Sequence, residues 1–292
     1  MFSSVEMANF ATDFPIMKKT ALTYSILLAL TMAMTMLSGC SGYSKALKSS
    51  DYDYRYEFAK ALYIDGKYTN ASSMIEDCVL RFRGSEKAEE AVFLLANCYY
   101  NMKDYISASQ YFQTYYKTYP RGQFATQARF LSGKSLYFDT PDPRLDPTST
   151  YAAISELQMF LETNPYSDYA DECNEMIYDM YDRLVEKEMK SATLYYNLGN
   201  FRGNNYESCI ITAQNAMKNF PYTKYREELS FLVLKAYYKM AEESVEIKKI
   251  DRFRNTIDEY YSFKNEFPES QYMKEADKMF QASEKYVNKA KS

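Results

Sequence analysis

The sequence predicts an all-α protein, an α-solenoid of five helical hairpins followed by a C-terminal capping helix. Three observations lead there. A marker set recurs five times: a first residue that is aromatic in four copies, a small residue three places on, and a helix stop fifteen places on. The set reads Tyr68, Ala71 and Arg83-Gly84; Tyr105, Ala108 and Pro120; Thr150, Ala153 and Pro165; Tyr206, Cys209 and Pro221; Phe253, Thr256 and Pro268. Proline placement agrees, since Pro inside a helix removes a hydrogen bond and clashes with the preceding turn. Of eight prolines, Pro120, Pro165, Pro221 and Pro268 close second helices, Pro141, Pro143 and Pro147 share one loop, and Pro15 lies near the start of the chain. Val and Ile are sparse, so a substantial sheet lacks its usual residues.

Along the chain the hairpins span about residues 51–84, 85–122, 123–166, 167–222 and 223–268, with the cap at 269–292. In the second copy Ala91, Leu94, Leu95, Cys98, Tyr99 and Met102 keep helical spacing and define the first helix. Tyr105, Ala108, Phe112, Tyr115 and Tyr119 define the second. The stretch Asp139 to Ser149, with three prolines, is expected to be an irregular loop between the helices of the third copy. Asp168 to Asn200 reads as an extended first helix of the fourth, broken near Gly199 to Asn205. In the fifth, Leu229, Leu232, Val233, Ala236, Tyr237 and Met240 mark the first helix, and Tyr272, Ala276, Met279, Phe280 and Tyr286 give the cap one apolar face. The pattern resembles the tetratricopeptide repeat, best in the second copy with Leu95, Ala96 and Tyr99, then Tyr105, Ala108, Phe112 and Pro120. The intervals between copies exceed that repeat's usual length of about 34 residues, so some helices or loops must be longer. Stacked hairpins leave a concave face that binds extended peptides or a partner's domain, which makes binding the expected function.

The first forty residues read as an address. Lys18-Lys19 precede an uncharged run from Thr20 to Gly39 that ends in Leu37-Ser38-Gly39-Cys40. A positive segment, a short apolar segment and small residues at the end make a secretory signal over 1–39. Leu-Ser-Gly-Cys resembles the lipobox of bacterial lipoproteins, which implies diacylglycerol on the Cys40 thiol, cleavage before it, and an N-acyl chain on its new amine. Residues 40–50 then form a flexible lipidated tether. Each buried CH2 contributes about 0.8 kcal/mol, so two or more acyl chains anchor stably. Ser41, in place of the Asp that retains enteric-type lipoproteins at the inner membrane, implies by resemblance an outer-membrane destination. Removing 1–39 takes Lys18, Lys19, Glu6 and Asp13 and leaves the net charge at -4.

Composition removes several chemistries. With no His, the Ser-His-Asp and Cys-His nucleophile systems, HExxH zinc sites and Cys2His2 fingers are excluded. A net charge of -4 disfavours phosphate-backbone binding, so nucleic acid is not an expected partner. Cys78, Cys98, Cys173 and Cys209 contain no CxxC; they could pair in three ways, although the apolar setting of Cys78, Cys98 and Cys209 favours buried thiols. Asp139, Asp142 and Asp146 lack the Gly and distal Glu of a calcium loop and fit turn chemistry. Glu186 and Glu188, two apart on a helix, face different ways and do not form an acid–base pair. No enzyme activity, metal or cofactor is expected beyond the acyl chains on Cys40.

Lipobox, long hairpins and cap, in that order, resemble the BamD family of outer-membrane lipoproteins of the β-barrel assembly machinery. The stretches that carry the resemblance are Tyr105 to Pro120, Arg144-Leu145-Asp146-Pro147-Thr148 leading into Ala153-Ile154, and Leu184 to Tyr196 followed by Asn205-Tyr206. The resemblance implies a lipid-anchored scaffold at the periplasmic face of the outer membrane, bound to the periplasmic domains of BamA and to unfolded outer-membrane β-barrel precursors. It also implies that the amino-terminal repeats receive the precursor's C-terminal signal and that the carboxy-terminal repeats dock on BamA. Precursors commonly end in an aromatic residue, for which Tyr52, Tyr54, Arg55, Tyr63 and Tyr99 are the candidates; Tyr63 and Tyr99 equally fit packing positions of the repeats. For BamA docking the candidates are Lys224, Arg226, Arg252 and Arg254. The alternative is another cell-envelope repeat lipoprotein that coordinates wall synthesis or secretion. Replacing Cys40 with Ala is expected to abolish acylation and release the protein from the membrane fraction; an unchanged membrane fraction on sedimentation would contradict the anchor.

Overall fold

The computed structural model describes residues 42–290. The signal at 1–39 and the acylation site Cys40 lie outside the described residues. Among the described residues every regular element is a helix. A short helix α1 at 42–47 is followed by α2 (Tyr52–Ile64), α3 (Tyr68–Arg81) and α4 (Lys87–Asn101). Then come α5 (Tyr105–Thr118), α6 (Ala125–Phe138), α7 (Thr148–Thr163) and α8 (Ala170–Leu198). The last four are α9 (Asn205–Asn219), α10 (Arg226–Glu242), α11 (Glu246–Glu266) and α12 (Met273–Lys289). No described helix is long and apolar enough to cross a membrane.

The chain divides into two compact units, one ending at Lys103 and the other beginning at Asp104. In the first unit α3 packs on both α2 and α4. In the second, each helix from α5 to α12 packs on the next, and α6 touches α8, α8 touches α10 and α10 touches α12. Those second-neighbour contacts join the first helices of successive hairpins, which is how tetratricopeptide-like hairpins stack. The expected second repeat, 85–122, has its two helices in different units.

One stop-and-turn device ends each second helix. The residues before the four helix-closing prolines, Tyr119, Asn164, Phe220 and Phe267, leave helical geometry with φ of -121°, -138°, -130° and -130°. Steric conflict with the Pro ring accounts for this, because it disfavours the α region one residue earlier. Pro then occupies the second position of a tight turn, where its fixed φ fits. The turns close through backbone bonds from Gly122 to Tyr119, Ser167 to Asn164, Thr223 to Phe220 and Ser270 to Phe267, at 2.9–3.2 Å. The first copy makes the same turn without Pro, from Ser85 to Phe82, with Gly84 supplying a φ of 80°. At the far side an aromatic residue sits at the N-cap of the next helix: Phe124, Tyr169, Tyr225 or Tyr272.

Two of those aromatics show what the turn achieves. Tyr169 stacks on Phe130 of α6 at 4.3 Å and 10°, beside Phe160 of α7. Tyr272 stacks on Phe231 of α10 at 4.4 Å and 8°, and Phe231 in turn meets Phe263 of α11. A lysine lies over each stacked Phe, Lys134 at 5.4 Å and Lys235 at 5.6 Å, and pairs with Glu172 or Glu275 of the following helix. The same five-residue cluster is therefore built twice, and each aromatic pair contributes about 0.5–1.5 kcal/mol beyond its buried area.

The expected loop at 139–149 is irregular from Asp139 to Pro147 and is fastened to α8, where Arg183 donates to Thr140 Oγ1 at 2.6 Å and Lys187 to the Leu145 carbonyl at 2.9 Å. Its acids do turn work. Asp142 accepts from the Arg144 backbone and side chain, which hold its carboxyl down at about 2, and Asp146 accepts from the Thr148 N–H. All four described cysteines are buried free thiols, and burial pushes Cys98, Cys173 and Cys209 up to about 12 and Cys78 to about 11. Asp65-Gly66, a pair familiar from β-hairpins, here turns between helices α2 and α3, with Gly66 at a φ of 74°.

One expectation needs correction. The tether at 40–50 is helical over 42–47, and Ala46 is fully buried, because a small apolar side chain there gains by packing rather than by solvation. The second helix of the fifth copy, α11, begins at Glu246, ahead of its Phe253 marker, since nothing between the two residues breaks a helix.

Close helix approach makes a size test possible. A methyl on Gly133 of α6 would lie 2.5 Å from Leu157 Cδ2 and 2.9 Å from its Cγ on α7. Gly133→Ala is therefore expected to destabilise the protein by about 1–3 kcal/mol through overpacking, despite the better helix propensity of Ala. Thermal unfolding measures it, and a melting temperature equal to that of the parent would contradict this packing.

Candidate peptide and partner surfaces

The five tyrosine and arginine candidates of the first unit separate into distinct places. Tyr52 and Arg55 lie at the start of α2, where the Arg55 guanidinium stands 4.9 Å from the Tyr52 ring. Arg55 is only 5% exposed, and its Nη2 pairs with Asp77 of α3 at 2.5 Å. A guanidinium this enclosed is committed to its partner, so Arg55 is unsuited to capture an incoming carboxylate. Tyr54 is 43% exposed and leans on Phe58 at 6.3 Å.

Tyr63 sits eleven residues further along α2, about 16 Å from Tyr52 at 1.5 Å per residue. It meets Tyr68 edge-on at 5.4 Å, and its hydroxyl accepts from Asn101 at 3.3 Å. Tyr99 of α4 donates its hydroxyl to Glu76 of α3. Tyr63 and Tyr99 thus tie the helices of this unit together. The sequence reading overlooked Arg81, in the last turn of α3, whose guanidinium covers the Tyr52 ring at 5.1 Å. Arg81 is exposed and has no carboxylate within ion-pair distance among the described residues, which makes it an open cation beside Tyr52. Its place next to Tyr52 comes from the α2–α3 packing, so no local sequence signal marks it.

The four cationic candidates of the second unit also divide. Lys224 and Arg226 follow the stop-and-turn between α9 and α10. Lys224 pairs with Asp182 of α8 at 3.5 Å, and Arg226 pairs with Glu266 of α11 while donating to the Met217 carbonyl at 3.3 Å. Arg252 lies at the opposite end of α10. It donates to the Met240 carbonyl at 3.2 Å and to the Ser244 hydroxyl, so it satisfies a carbonyl at the helix C-terminus, where a cation also suits the dipole. Arg254 is exposed and pairs with its neighbour Asp251 at 3.0 Å. Met240 is fourteen residues beyond Arg226, so the two ends of α10 stand about 21 Å apart. The four residues do not form one patch.

Next to Lys224 is the feature the sequence reading missed most completely. A cleft of about 500 Å³ opens between α8 and the end of α9, lined by Tyr178, Tyr181, Asp182, Asn219, Phe220, Pro221, Tyr222 and Thr223. Tyr181 and Phe220 approach to 5.3 Å, and Tyr178 meets Tyr181 edge-on at 6.4 Å. Tyr222 is 85% exposed and Tyr178 54%. The available signal was the aromatic that directly follows Pro221 in a turn, a place where no packing partner is expected. No group of three or more Cys, Asp or Glu among the described residues could hold a metal ion.

Repeated stop-and-turn hairpins with scattered cations and aromatic side chains define a helical-repeat protein of the tetratricopeptide-like class. The chain belongs to the YfiO family of outer membrane lipoproteins, whose profile matches residues 49–249. It is similar to the putative outer membrane protein assembly factor BamD of Aquifex aeolicus (strain VF5), 24% identical over 216 residues that cover 73% of this chain and 69% of that relative. It is also similar to the outer membrane protein assembly factor BamD of Haemophilus influenzae (strain ATCC 51907 / DSM 11121 / KW20 / Rd). There the identity is 22% over 223 residues, covering 73% of this chain and 83% of the relative.

The different engagement of Arg252 and Arg254 is testable. Arg252→Ala is expected to cost about 0.5–1.5 kcal/mol by removing its hydrogen bonds to the Met240 carbonyl and the Ser244 hydroxyl, the carbonyl keeping its bond from Ser244, whereas Arg254→Ala should stay within about 0.5 kcal/mol, as surface substitutions do. Urea unfolding of both variants checks this, and equal midpoints would contradict the capping role.

Proposed function

We propose that the chain is a lipid-anchored scaffold at the periplasmic face of the outer membrane that assists the assembly of β-barrel proteins. It binds the periplasmic domains of BamA and unfolded barrel precursors, and it catalyses no covalent step. The observation that carries this reading is the likeness, over about three quarters of the chain, to two proteins named as outer membrane protein assembly factors. The architecture supports it, because packed hairpins present helix faces and turn edges suited to holding extended chains and partner domains.

The placement of side chains refines the candidates. In the first unit, an aromatic chain end would rest against Tyr52 while its carboxylate meets Arg81 in place of the buried Arg55; the exposed Tyr54, two residues on and facing another side of α2, is a separate candidate contact. In the second, Lys224, whose side chain is largely exposed, is the better candidate for BamA docking; Arg226 is engaged by Glu266 and the Met217 carbonyl, and Arg252 at the end of α10. An acyl anchor on Cys40, by holding the chain at the membrane, raises its effective concentration for a membrane-embedded partner.

Affinity capture of the tagged full-length lipoprotein from mild detergent is expected to recover BamA. A photo-crosslinker at position 224 should label BamA, and one at position 54 should label a barrel precursor. Recovery of wall-synthesis proteins without BamA would overturn the reading in favour of a different cell-envelope coordinator.

A further inference from the structure

The cleft between α8 and the α9–α10 turn combines three properties that specify a ligand. Its walls are rings. Tyr178, Tyr181, Phe220 and Tyr222 surround it, with Pro221 between the last two. Its polar groups are mainly donors left unused. The side chains of Tyr178, Tyr222 and Asn219 make no hydrogen bond among the described residues. The Tyr181 hydroxyl accepts from Gln158 Nε2 at 2.8 Å, which leaves its own O–H to donate. Its rim is acidic. Glu175 lies one turn before Tyr178 on the same helix face, is exposed, and has no cation within ion-pair distance among the described residues. Asp182, in the wall, already accepts from the Thr223 hydroxyl at 2.7 Å and the Lys224 N–H at 3.2 Å.

A ligand for such a cleft must offer flat apolar groups to the rings, carbonyl acceptors to the hydroxyl and amide donors, and positive charge to Glu175. An extended polyproline II segment meets the first two requirements together. It makes no internal hydrogen bonds, so all its carbonyls point outward and seek donors, and its prolyl rings stack on aromatic side chains. It is also rigid before it binds, so little conformational entropy is lost. The third requirement is met when Arg or Lys flanks the prolines. An aromatic chain end with a free carboxylate fits less well, because Asp182 and Glu175 repel it and the nearby Lys224 is already paired with Asp182 at 3.5 Å.

We propose that this cleft is a docking site for a proline-rich, basic segment of a partner protein, bound as a polyproline II helix across Tyr178, Tyr181 and Tyr222. The cleft adjoins Lys224, a BamA-docking candidate, but the proposal does not rest on that role and is read from the binding of isolated peptides. Loss of BamA capture would leave peptide binding in this cleft intact, and absence of peptide binding would leave BamA capture intact.

Fluorescence anisotropy on the full-length lipoprotein in mild detergent tests it with three labelled synthetic peptides. One has Pro-Pro-Leu units flanked by Arg; a second keeps the Arg residues and replaces the prolines with Gly and Ser; a third ends in Phe with a free carboxylate. The expected result is saturable binding of the first peptide, weakened about tenfold or more in Tyr222→Ala and in Tyr178→Ala, as for truncated aromatic anchors. Glu175→Gln should weaken it less and reduce its salt dependence. Both tyrosines are largely exposed, and unchanged far-ultraviolet circular dichroism verifies that the variants fold. Equal binding of the Gly-Ser peptide, preferential binding of the Phe-ended peptide, no saturable binding, or undiminished affinity in both tyrosine variants would each overturn the proposal.

Discussion

Everything in the second unit depends on a steric constraint at the end of each second helix. Pro cannot donate to the preceding turn, and it pushes the residue before it out of helical geometry. The chain must therefore reverse within a few residues. Tyr119, Asn164, Phe220 and Phe267 all obey, and each reversal sets an aromatic at the start of the following helix. That aromatic folds back onto the previous hairpin, as Tyr169 does on Phe130 and Tyr272 on Phe231. A local backbone restriction thereby becomes a packing contact between neighbouring hairpins.

The polar interior follows the same economy of local contacts. Glu156 accepts from Tyr116 at 2.8 Å and from Ser132 at 2.9 Å, and Ser132 meets Ser109 at 3.1 Å, so these polar groups in α5, α6 and α7 satisfy one another. Cations are spent similarly on structure: Arg55 on Asp77, Arg183 on the proline-rich loop and Arg252 on the end of α10. What is left for partners is then identifiable by subtraction. Arg81 beside Tyr52, and the rings of the α8–α9 cleft, are groups whose chemistry the fold does not consume.

Much of the helix plan was legible because it is written in short-range signals. The fifteen-residue interval, the prolines and the 3.6-residue spacing marked the second helix of each copy, and the 29-residue α8 and the irregular loop before α7 were also legible. Thr150 took an aromatic position in the pattern and is 4% exposed, so the marker tolerates a smaller buried side chain. The site residues were less legible. Arg55 and Arg81 are both basic residues on helices, and nothing near them in sequence separates the enclosed one from the open one. Their fates depend on Asp77 and Tyr52, which reach them only through the packing of α2 on α3. Asp65-Gly66 makes the same point for turns, since the dipeptide fixes a reversal but leaves the kind of element on either side open.

The sequence by itself determined where the second helices end, since proline sterics and apolar periodicity act over a few residues. It also determined that no imidazole chemistry is available, because the chain contains no His. Tertiary structure alone decided which charges are neutralised, which tyrosines pack and which face a cleft. Those outcomes depend on side chains some twenty to forty residues apart, such as Tyr181 with Phe220 and Arg226 with Glu266, whose encounter is set by how helices cross.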